Sequence, residues 1–358
     1  MAPTLSEVYG DHPLHLQHII PIDFNSFRSL PDSHVWSQTS DDGLFSSSSL
    51  PSSSLPVIDL MDPNASELIG QACESWGAFQ LTGHDIPMKL IDEVDSEARR
   101  LFALPADRKM KALRSPGGAA GYGVARISPF FPKNMWHEGF TIMGCSKDHA
   151  KELWPHDYQR FCETMEEYEK QMKDLSHHLV RMILNYLNIF KDEQVKWIGS
   201  TMESTALQLN SYPCCPEPNR AMGLAPHTDT SLITLLHQTQ MISGLQIHKD
   251  GVGWVPVHPV SGAFVVNVGD LLHILSNGRF PSVLHRVTVN QTRQRFSVAY
   301  FYSPPADFTV SPQLSPKPLS SSPGGGEQVA RYRSVMVEEY SGMKAKYYQK
   351  ALSLIKNN

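Results

Sequence analysis

The sequence has few cysteines, no excess of positive charge and no long apolar run. Its five cysteines are an odd number and include no CxxC pair, so the chain lacks the pattern of a disulfide framework or a structural zinc site. Its 31 basic and 36 acidic residues give a formal net charge of -5, which offers no cationic surface to a nucleic-acid backbone. We therefore expect neither a secreted disulfide scaffold nor a nucleic-acid-binding protein.

Membrane insertion and secretion are also unsupported. No segment approaches the roughly 18 consecutive apolar residues that a membrane helix needs. The first residues, MAPTLSEVYGDHPLHLQH, include neither a basic region nor an apolar run, so they lack the features of a signal peptide. We predict a cytoplasmic protein that does not bind membranes, and the sequence specifies no oligomeric state.

Two stretches of low complexity divide the chain, SSSSLPSSS at 46–54 and PQLSPKPLSSSPGGGE at 312–327. Such segments bury too little apolar area to offset the entropy of ordering them. We therefore predict five regions, which are a flexible arm with a Ser-rich linker (1–54), an N-terminal region (55–160), a scaffold-helix region (161–200), a jelly-roll domain (203–305), and a mobile loop with a C-terminal helix (306–358).

The hydrophobic pattern changes along the chain from helical to strand-like. Apolar residues recur at spacings of three and four over 65–76, 87–104 and, most regularly, 161–190, which predicts amphipathic helices. From residue 205 onward short β-branched and aromatic runs alternate with turn residues, as in TALQLNSY, SLITLLH, AFVVNVG and RFSVAYFYS. Many short strands with polar turns indicate a jelly roll of about eight strands. The predicted fold is mainly β with helical supports and an N-terminal mixed α/β region.

The segment APHTDTSLITLLH at 225–237 places polar residues in front of a strongly apolar run. Residues two apart on a strand share a face, so His227 and Asp229 would present an imidazole and a carboxylate side by side. His285 lies in the alternating run SVLHRVTVN. It is far enough along the chain for a later strand of a jelly roll to bring it to the same end of the barrel as His227 and Asp229. Two His and one carboxylate are the ligands of non-haem Fe(II) oxygenases. Zinc accepts the same ligands, so these three residues alone do not decide the metal.

A second motif follows ten residues later, where Arg295 and Ser297 in RQRFSVAYF share one face of a strand. An inward-facing guanidinium needs an anion, and its planar fork pairs bidentately with a carboxylate. We therefore expect a small carboxylate-bearing molecule beside the metal, with a structural carboxylate such as Asp270 as the alternative partner. Asn210 and Tyr212 in QLNSYP repeat the two-residue spacing and can make further hydrogen bonds to that molecule.

Together, NSYP, HTD, a His about 55 residues later and RFS ten residues beyond it resemble the plant Fe(II)- and 2-oxoglutarate-dependent dioxygenases. The resemblance extends from LPVIDL to about Ser303. It implies a double-stranded β-helix (a distorted jelly roll) that uses Fe(II), 2-oxoglutarate as cosubstrate, O2, and ascorbate as supporting reductant.

The resemblance also implies roles for the residues in these motifs. At the matching positions the iron ligands are His227, Asp229 and His285. Arg295, the candidate catalytic residue, and Ser297 match the anchors of the far carboxylate of 2-oxoglutarate, and Tyr212 and Asn210 match its additional hydrogen-bond partners.

Segments outside the metal motifs, above all GYGVARISPFFPKNMWHEGFTIMG at 121–144, resemble members of this family that hydroxylate gibberellin precursors at carbon 3. This narrower resemblance implies a rigid, mostly apolar substrate that carries a carboxylate. The candidate substrate contacts are four aromatic residues and one arginine as a partner of the carboxylate, namely Phe130, Phe131, Trp136, Phe140 and Arg126.

Two alternatives remain at this level. One is a related dioxygenase that acts on another gibberellin carbon or on a flavonoid, since fold and metal motif do not separate substrates. The other is a catalytically silent protein that binds a small acid in the same pocket.

Overall fold

The computed structural model describes residues 9–36, 54–189, 197–198, 204–314 and 329–357. The strands found there are β1 (Val57–Asp59), β2 (Ala78–Thr82), β3 (Gly121–Gly123), β4 (Glu138–Ile142), β5 (Ser204–Tyr212), β6 (Leu224–His227), β7 (Ile233–Gln238), β8 (Leu245–Lys249), β9 (Gly253–Pro256), β10 (Phe264–Val268), β11 (His285–Val287), β12 (Arg295–Ser303), β13 (Thr309–Val310) and β14 (Val335–Met336). The α-helices found there are α1 (Ala65–Ser75), α2 (Met88–Phe102), α3 (Ala106–Lys109), α4 (Lys147–Leu153), α5 (Gln159–Tyr186), α6 (Asp270–Leu275), α7 (Val337–Tyr347) and α8 (Ala351–Leu354).

Two sheets form the β core. The larger has the order β1-β2-β10-β7-β12-β5-β4-β3, and the smaller has the order β6-β11-β8-β9. From β5 to β12 the chain passes back and forth between them, because β5, β7, β10 and β12 lie in the larger sheet and β6, β8, β9 and β11 in the smaller. This alternation makes the core a double-stranded β-helix, so the predicted jelly roll is confirmed.

Strand β12 shows how the sequence pattern places residues on the two faces of the larger sheet. It pairs with β5 over nine positions, from Arg295 opposite Tyr212 to Ser303 opposite Ser204. Phe296, Val298 and Tyr300 belong to the main apolar core, whereas Arg295, Ser297 and Ala299 face a cavity between the sheets. Because successive residues of a strand point to opposite faces, one strand serves both the core and the site.

Helices α1, α2 and α5 pack against the larger sheet. The 28-residue helix α5, predicted over 161–190, runs from Gln159 to Tyr186, and its buried side chains, among them Met165, Tyr168 and Leu179, join the main core. Helices α1 and α2 pack on α5. No helix in the described part of the chain is both long and apolar enough to cross a membrane.

The prediction of a flexible arm over 1–54 is wrong for residues 9–36. This segment forms short 3-10 turns, and Ile19 and Leu30 are buried, the latter in a small cluster with Trp136. The polar composition of the segment suggested flexibility, but a few well-spaced apolar side chains are enough to anchor it. Most of the Ser-rich linker (46–53) and much of the Gly-rich stretch (315–327) lie outside the described residues. The remaining region boundaries stay predictions.

Candidate active site

His227 and His285 are direct partners across two strands of the smaller sheet. His227 ends β6 and lies opposite His285, which begins β11, and their ring centroids are 4.1 Å apart. Asp229 lies in the turn after β6 rather than on a strand as predicted. Its Oδ1 is 3.6 Å from His227 Nε2 and 3.8 Å from His285 Nε2. The structure thus brings together the three side chains that the sequence singled out, with their ligand atoms within 4.8 Å of one another.

Hydrogen bonds on the far side of each ring orient the two imidazoles. Nδ1 of His227 donates to the Ala225 carbonyl at 2.8 Å, and Nδ1 of His285 donates to the Val283 carbonyl at 3.1 Å. Because a carbonyl only accepts, each Nδ1 carries the proton and each Nε2 keeps its lone pair. Burial lowers the pKa of His227 to about 3. The ring is therefore neutral at neutral pH, which is the form that binds metals.

The carboxylate of Asp229 has an unused oxygen. Its Oδ2 is buried and has no hydrogen-bond partner among the described residues. A buried, unsatisfied carboxylate oxygen is costly, and a divalent cation bound by Asp229 and the two neighbouring imidazoles satisfies it. This donor set therefore fits the Fe(II) that the family implies.

The guanidinium of Arg295 is similarly unsatisfied. The side chain is 2% exposed, and its Nη2 donates to Gln238 Oε1 at 3.0 Å. Its Nε and Nη1 have no partner within the described residues. The alternative partner, Asp270, is not used, because its carboxylate accepts hydrogen bonds from Ser282, Tyr340 and Lys344. A buried guanidinium with unsatisfied N–H groups, beside the Tyr212 hydroxyl, suits a small carboxylate.

The other predicted cosubstrate residues surround Arg295. Ser297 and Tyr212 line the same cavity, and the strand register places Tyr212 opposite Arg295 and Asn210 opposite Ser297. The amide oxygen of Asn210 is already bonded to His137 Nε2 at 2.9 Å, so part of its hydrogen-bonding capacity is taken. All four side chains are buried, so a small acid bound among them is shielded from water.

The metal ligands and these polar residues open into one cavity of about 670 Å³, within the range of small-molecule sites. Arg126 and Phe130, two of the predicted substrate contacts, line it. Where the C-terminal segment borders the cavity, Phe130 stacks on Tyr348 with ring centroids 4.9 Å apart and planes at 14°. The cavity is large enough for a polycyclic substrate beside the cosubstrate.

Three predicted substrate contacts lie elsewhere. Phe140 is on β4 and points to the helical side, where its ring meets Phe161 edge-on at 6.1 Å. Trp136 is fully buried and packs on Phe24 of the N-terminal segment. Phe131 packs against Tyr348 but is not part of the cavity lining. Aromatic residues near a motif fill the core as readily as they line a pocket, and the sequence does not separate these two positions.

The sequence reading missed several residues that the fold brings to the cavity. Among them are Arg114, His137, Gln208, Lys344 and Tyr348. Lys344 and Tyr348 belong to the C-terminal segment, more than a hundred residues from His227 and Asp229, and no local signal connects them to the metal ligands. The hydroxyl of Tyr348 donates to the carbonyl of Pro226, next to His227.

Comparison with known proteins gives two family matches. Residues 203–304 match the 2OG-Fe(II) oxygenase superfamily. Residues 55–159 match the N-terminal region of non-haem dioxygenases in morphine synthesis.

Similar curated proteins span almost the whole chain. Gibberellin 3-beta-dioxygenase 1 of Pisum sativum is 51% identical over 361 residues, covering 99% of this chain and 94% of the relative. Gibberellin 3-beta-dioxygenase 1 of Arabidopsis thaliana is 46% identical over 365 residues, covering 100% and 99%.

Solved structures agree on the fold. The crystal structure of JOX2 in complex with 2OG, Fe and JA superposes with a TM-score of 0.75 at 26% identity, covering 96% of this chain and 98% of that one. The dioxygenase for auxin oxidation in rice gives a TM-score of 0.67 at 27% identity, covering 85% and 100%.

Proposed function

Because this chain belongs to the 2OG-Fe(II) oxygenase superfamily, we infer that it is an Fe(II)- and 2-oxoglutarate-dependent dioxygenase that hydroxylates a gibberellin precursor at carbon 3. The product has the 3β-hydroxyl group of the bioactive gibberellins. The observation that carries this function is the near full-length identity of 51% and 46% to two gibberellin 3-beta-dioxygenases. The buried His-Asp-His cluster supports the enzyme over the silent small-acid binder.

We propose that His227, Asp229 and His285 hold the iron and that Arg295 binds the far carboxylate of 2-oxoglutarate. When bound together, Fe(II) and 2-oxoglutarate supply the O2-dependent oxidation of an unactivated C–H bond, with 2-oxoglutarate leaving as succinate and CO2. The orientation of the two imidazoles by the Ala225 and Val283 carbonyls keeps both Nε2 atoms directed at the same point as Asp229 Oδ1.

The other residues of the site bind and shield the cosubstrate. Ser297 and Tyr212 are buried beside Arg295, which supports the proposal that each hydroxyl donates to the same carboxylate. Burial raises the pKa of Tyr212, so its hydroxyl stays protonated and acts as a donor at neutral pH. The cavity extends beyond these residues to Arg126 and Phe130, and we propose that the gibberellin binds at that end.

The function is tested by incubating the purified protein with Fe(II), ascorbate and 2-oxoglutarate and a panel of gibberellins that lack a 3-hydroxyl group, alongside flavanones. We expect a gibberellin product that is one oxygen heavier, with succinate formed in equal amount. Turnover of a flavanone with no gibberellin product would favour the related dioxygenase that acts on a flavonoid. Absence of any product, including uncoupled succinate, would favour the silent binder.

Cytoplasmic location also remains a proposal. It is supported by the five cysteines, all of which are free thiols, as expected in a reducing compartment. We also propose that the enzyme acts without nucleic acid or membrane. The net charge of -5 and the lack of a long apolar run support this.

A further inference from the structure

Two arginines lie at one end of the cavity without a carboxylate partner. Arg114 is 3% exposed, and its Nη2 donates to the Val124 carbonyl at 2.8 Å, while its Nε is buried without a partner among the described residues. Arg126 donates to the Gly118 carbonyl, and its guanidinium lies 4.0 Å above the ring of Tyr9. Both side chains line the cavity, and neither forms an ion pair with a carboxylate in the described part of the chain.

The larger sheet positions Arg114 on the cavity side. Leu113 forms a bridge with Tyr122 of β3, and the Arg114 N–H donates to the Tyr122 carbonyl at 2.9 Å. Leu113 packs against the main apolar core, so Arg114, the next residue, points to the opposite face. This places its guanidinium beyond the edge of the sheet, over the same face as Arg295 and Ser297.

Arg114 is well separated from the cosubstrate residues. Ser297 on β12 lies opposite Asn210 on β5, Asn210 lies opposite Gly139 on β4, and Gly139 lies opposite Gly123 on β3. Three strand spacings separate Ser297 from Gly123, which is about 14 Å. A Cβ at Gly123 would be 3.6 Å from Arg114 Nη2, so the Arg114 guanidinium lies at this distant edge and does not hold the same small dicarboxylate as Arg295.

The pair is costly unless an anion is present. Two neighbouring positive charges repel each other, and burying a guanidinium without a counter-ion loses hydration that nothing replaces. Burial, together with the charge of Arg126, lowers the pKa of Arg114 to about 10, so the side chain remains charged at neutral pH. A carboxylate placed between the two guanidinium groups offsets both the repulsion and the lost hydration.

We propose that Arg114 and Arg126 form the subsite that binds the carboxylate of the substrate, and that Arg114 is a specificity-determining residue for acidic substrates. The inference rests on the proposed function and adds where the gibberellin acid is anchored. A rigid ring system fixed at this end presents only one part of its skeleton to the metal ligands on the smaller sheet. Such positioning selects the carbon that reacts.

The test compares a gibberellin with its methyl ester, which has the same skeleton but no negative charge. Wild-type enzyme, loaded with Fe(II) and 2-oxoglutarate, is assayed on both compounds, and the ratio of the two kcat/KM values is measured. Because a hydrogen-bonded charge pair is lost with the ester, we expect a ratio of about 10 to 100 in favour of the acid. We expect Arg114→Gln to lower kcat/KM for the acid by a similar factor and to change kcat/KM for the ester by no more than about twofold. The ratio of the two values then approaches one.

Further variants separate this role from folding and from other cations. Arg126→Gln also lowers the acid-to-ester ratio of kcat/KM. Arg114→Lys keeps the charge without the planar guanidinium, so its ratio lies between those of the wild type and Arg114→Gln. The matched control Arg28→Gln removes an exposed arginine of the N-terminal segment, outside the cavity lining, and keeps the wild-type ratio. Turnover of the ester by Arg114→Gln shows that the variant is folded, and an unchanged KM for 2-oxoglutarate shows that the cosubstrate site is intact.

The inference is overturned if Arg114→Gln keeps the wild-type preference for the acid. It is also overturned if Lys346→Gln, which removes the exposed cation at another edge of the cavity, abolishes the preference while the Arg114 variants retain it. In both cases 3β-hydroxylation by the wild-type enzyme is unaffected. Failure of the proposed function gives a different result, because the wild-type enzyme would then hydroxylate neither the acid nor the ester at carbon 3.

Discussion

The backbone N–H of Asp270 donates a 2.8 Å hydrogen bond to the carbonyl oxygen of Asp229. The carboxylate of Asp270 in turn accepts hydrogen bonds from Tyr340 and Lys344 on helix α7. Lys344 also donates to Thr228, the residue between His227 and Asp229. The turn that carries the candidate carboxylate ligand and the C-terminal helix are therefore one hydrogen-bonded unit, which links two segments that are more than a hundred residues apart.

Removing the carboxylate ligand tests the metal assignment. Asp229→Ala leaves two imidazoles, which bind iron far more weakly than the full set. We expect purified Asp229→Ala to lose both bound iron and turnover, as measured by metal analysis after desalting and by succinate formation. The matched control is Asp250→Ala, which removes a fully exposed carboxylate. Wild-type iron content in Asp229→Ala would show that the ligand assignment is wrong.

The role of Arg295 is tested by separating charge from geometry. Arg295→Lys keeps the charge but loses the planar fork, so it should raise the KM for 2-oxoglutarate. Arg295→Leu should do worse, because it leaves a buried carboxylate unpaired at a cost of about 3–5 kcal/mol. At saturating 2-oxoglutarate the KM for the gibberellin should change little in Arg295→Lys. An equal KM for 2-oxoglutarate in wild type and Arg295→Leu would exclude this role.

Tyr348 closes the apolar side of the cavity. Its ring stacks on Phe130, and an aromatic pair of this kind contributes about 0.5–1.5 kcal/mol beyond its buried area. We expect Tyr348→Ala to raise the KM for the gibberellin about threefold to tenfold, while the KM for 2-oxoglutarate stays near wild type. Tyr347→Ala, at an exposed neighbour, is the control. An equal effect of both substitutions would mean that Tyr348 acts only through the stability of the helix.

A buried charge cluster behind the sheet supports the fold rather than the reaction. Glu138 accepts hydrogen bonds from Lys109 at 2.7 Å and from Tyr122 at 2.6 Å, and the two charged side chains are nearly inaccessible to solvent. Glu138→Ala leaves the lysine unpaired, so we expect the free energy of unfolding to fall by about 3–5 kcal/mol.

The control for this experiment is an exposed ion pair on helix α2. Lys89 and Glu93 are 3.7 Å apart and largely solvated, so Glu93→Ala should change the free energy of unfolding by less than about 1 kcal/mol. Denaturant unfolding monitored by circular dichroism measures both variants. A loss of similar size in the two would contradict the importance of the buried pair.

The fold class and the polar centre could be predicted because local patterns specify them. Strand alternation places Arg295 and Ser297 on one face, and this follows from a spacing of two. The proximity of His227 and His285 does not follow from spacing alone. It required the prediction of a jelly roll, which returns β11 to the side of β6.

The substrate end of the cavity could not be predicted in this way. Phe140 and Arg114 illustrate the difficulty, because the side of a short strand that faces the cavity depends on its register with its neighbours. Phe140 pairs with Leu209 and shares its core-facing side, whereas Arg114 reaches the cavity through a single bridge next to it. Tyr348 lines the cavity only because the C-terminal segment packs against it. The sequence of that segment does not indicate where it packs.

The most direct test of the account is the position and configuration of the hydroxyl group in the product. The purified enzyme is incubated with a gibberellin that lacks the 3-hydroxyl, together with Fe(II), ascorbate and 2-oxoglutarate, and the isolated product is examined by NMR. We predict a single new hydroxyl at carbon 3 in the β configuration. A hydroxyl at any other carbon of the gibberellin, or no gibberellin product beside turnover of another compound class, would contradict the account.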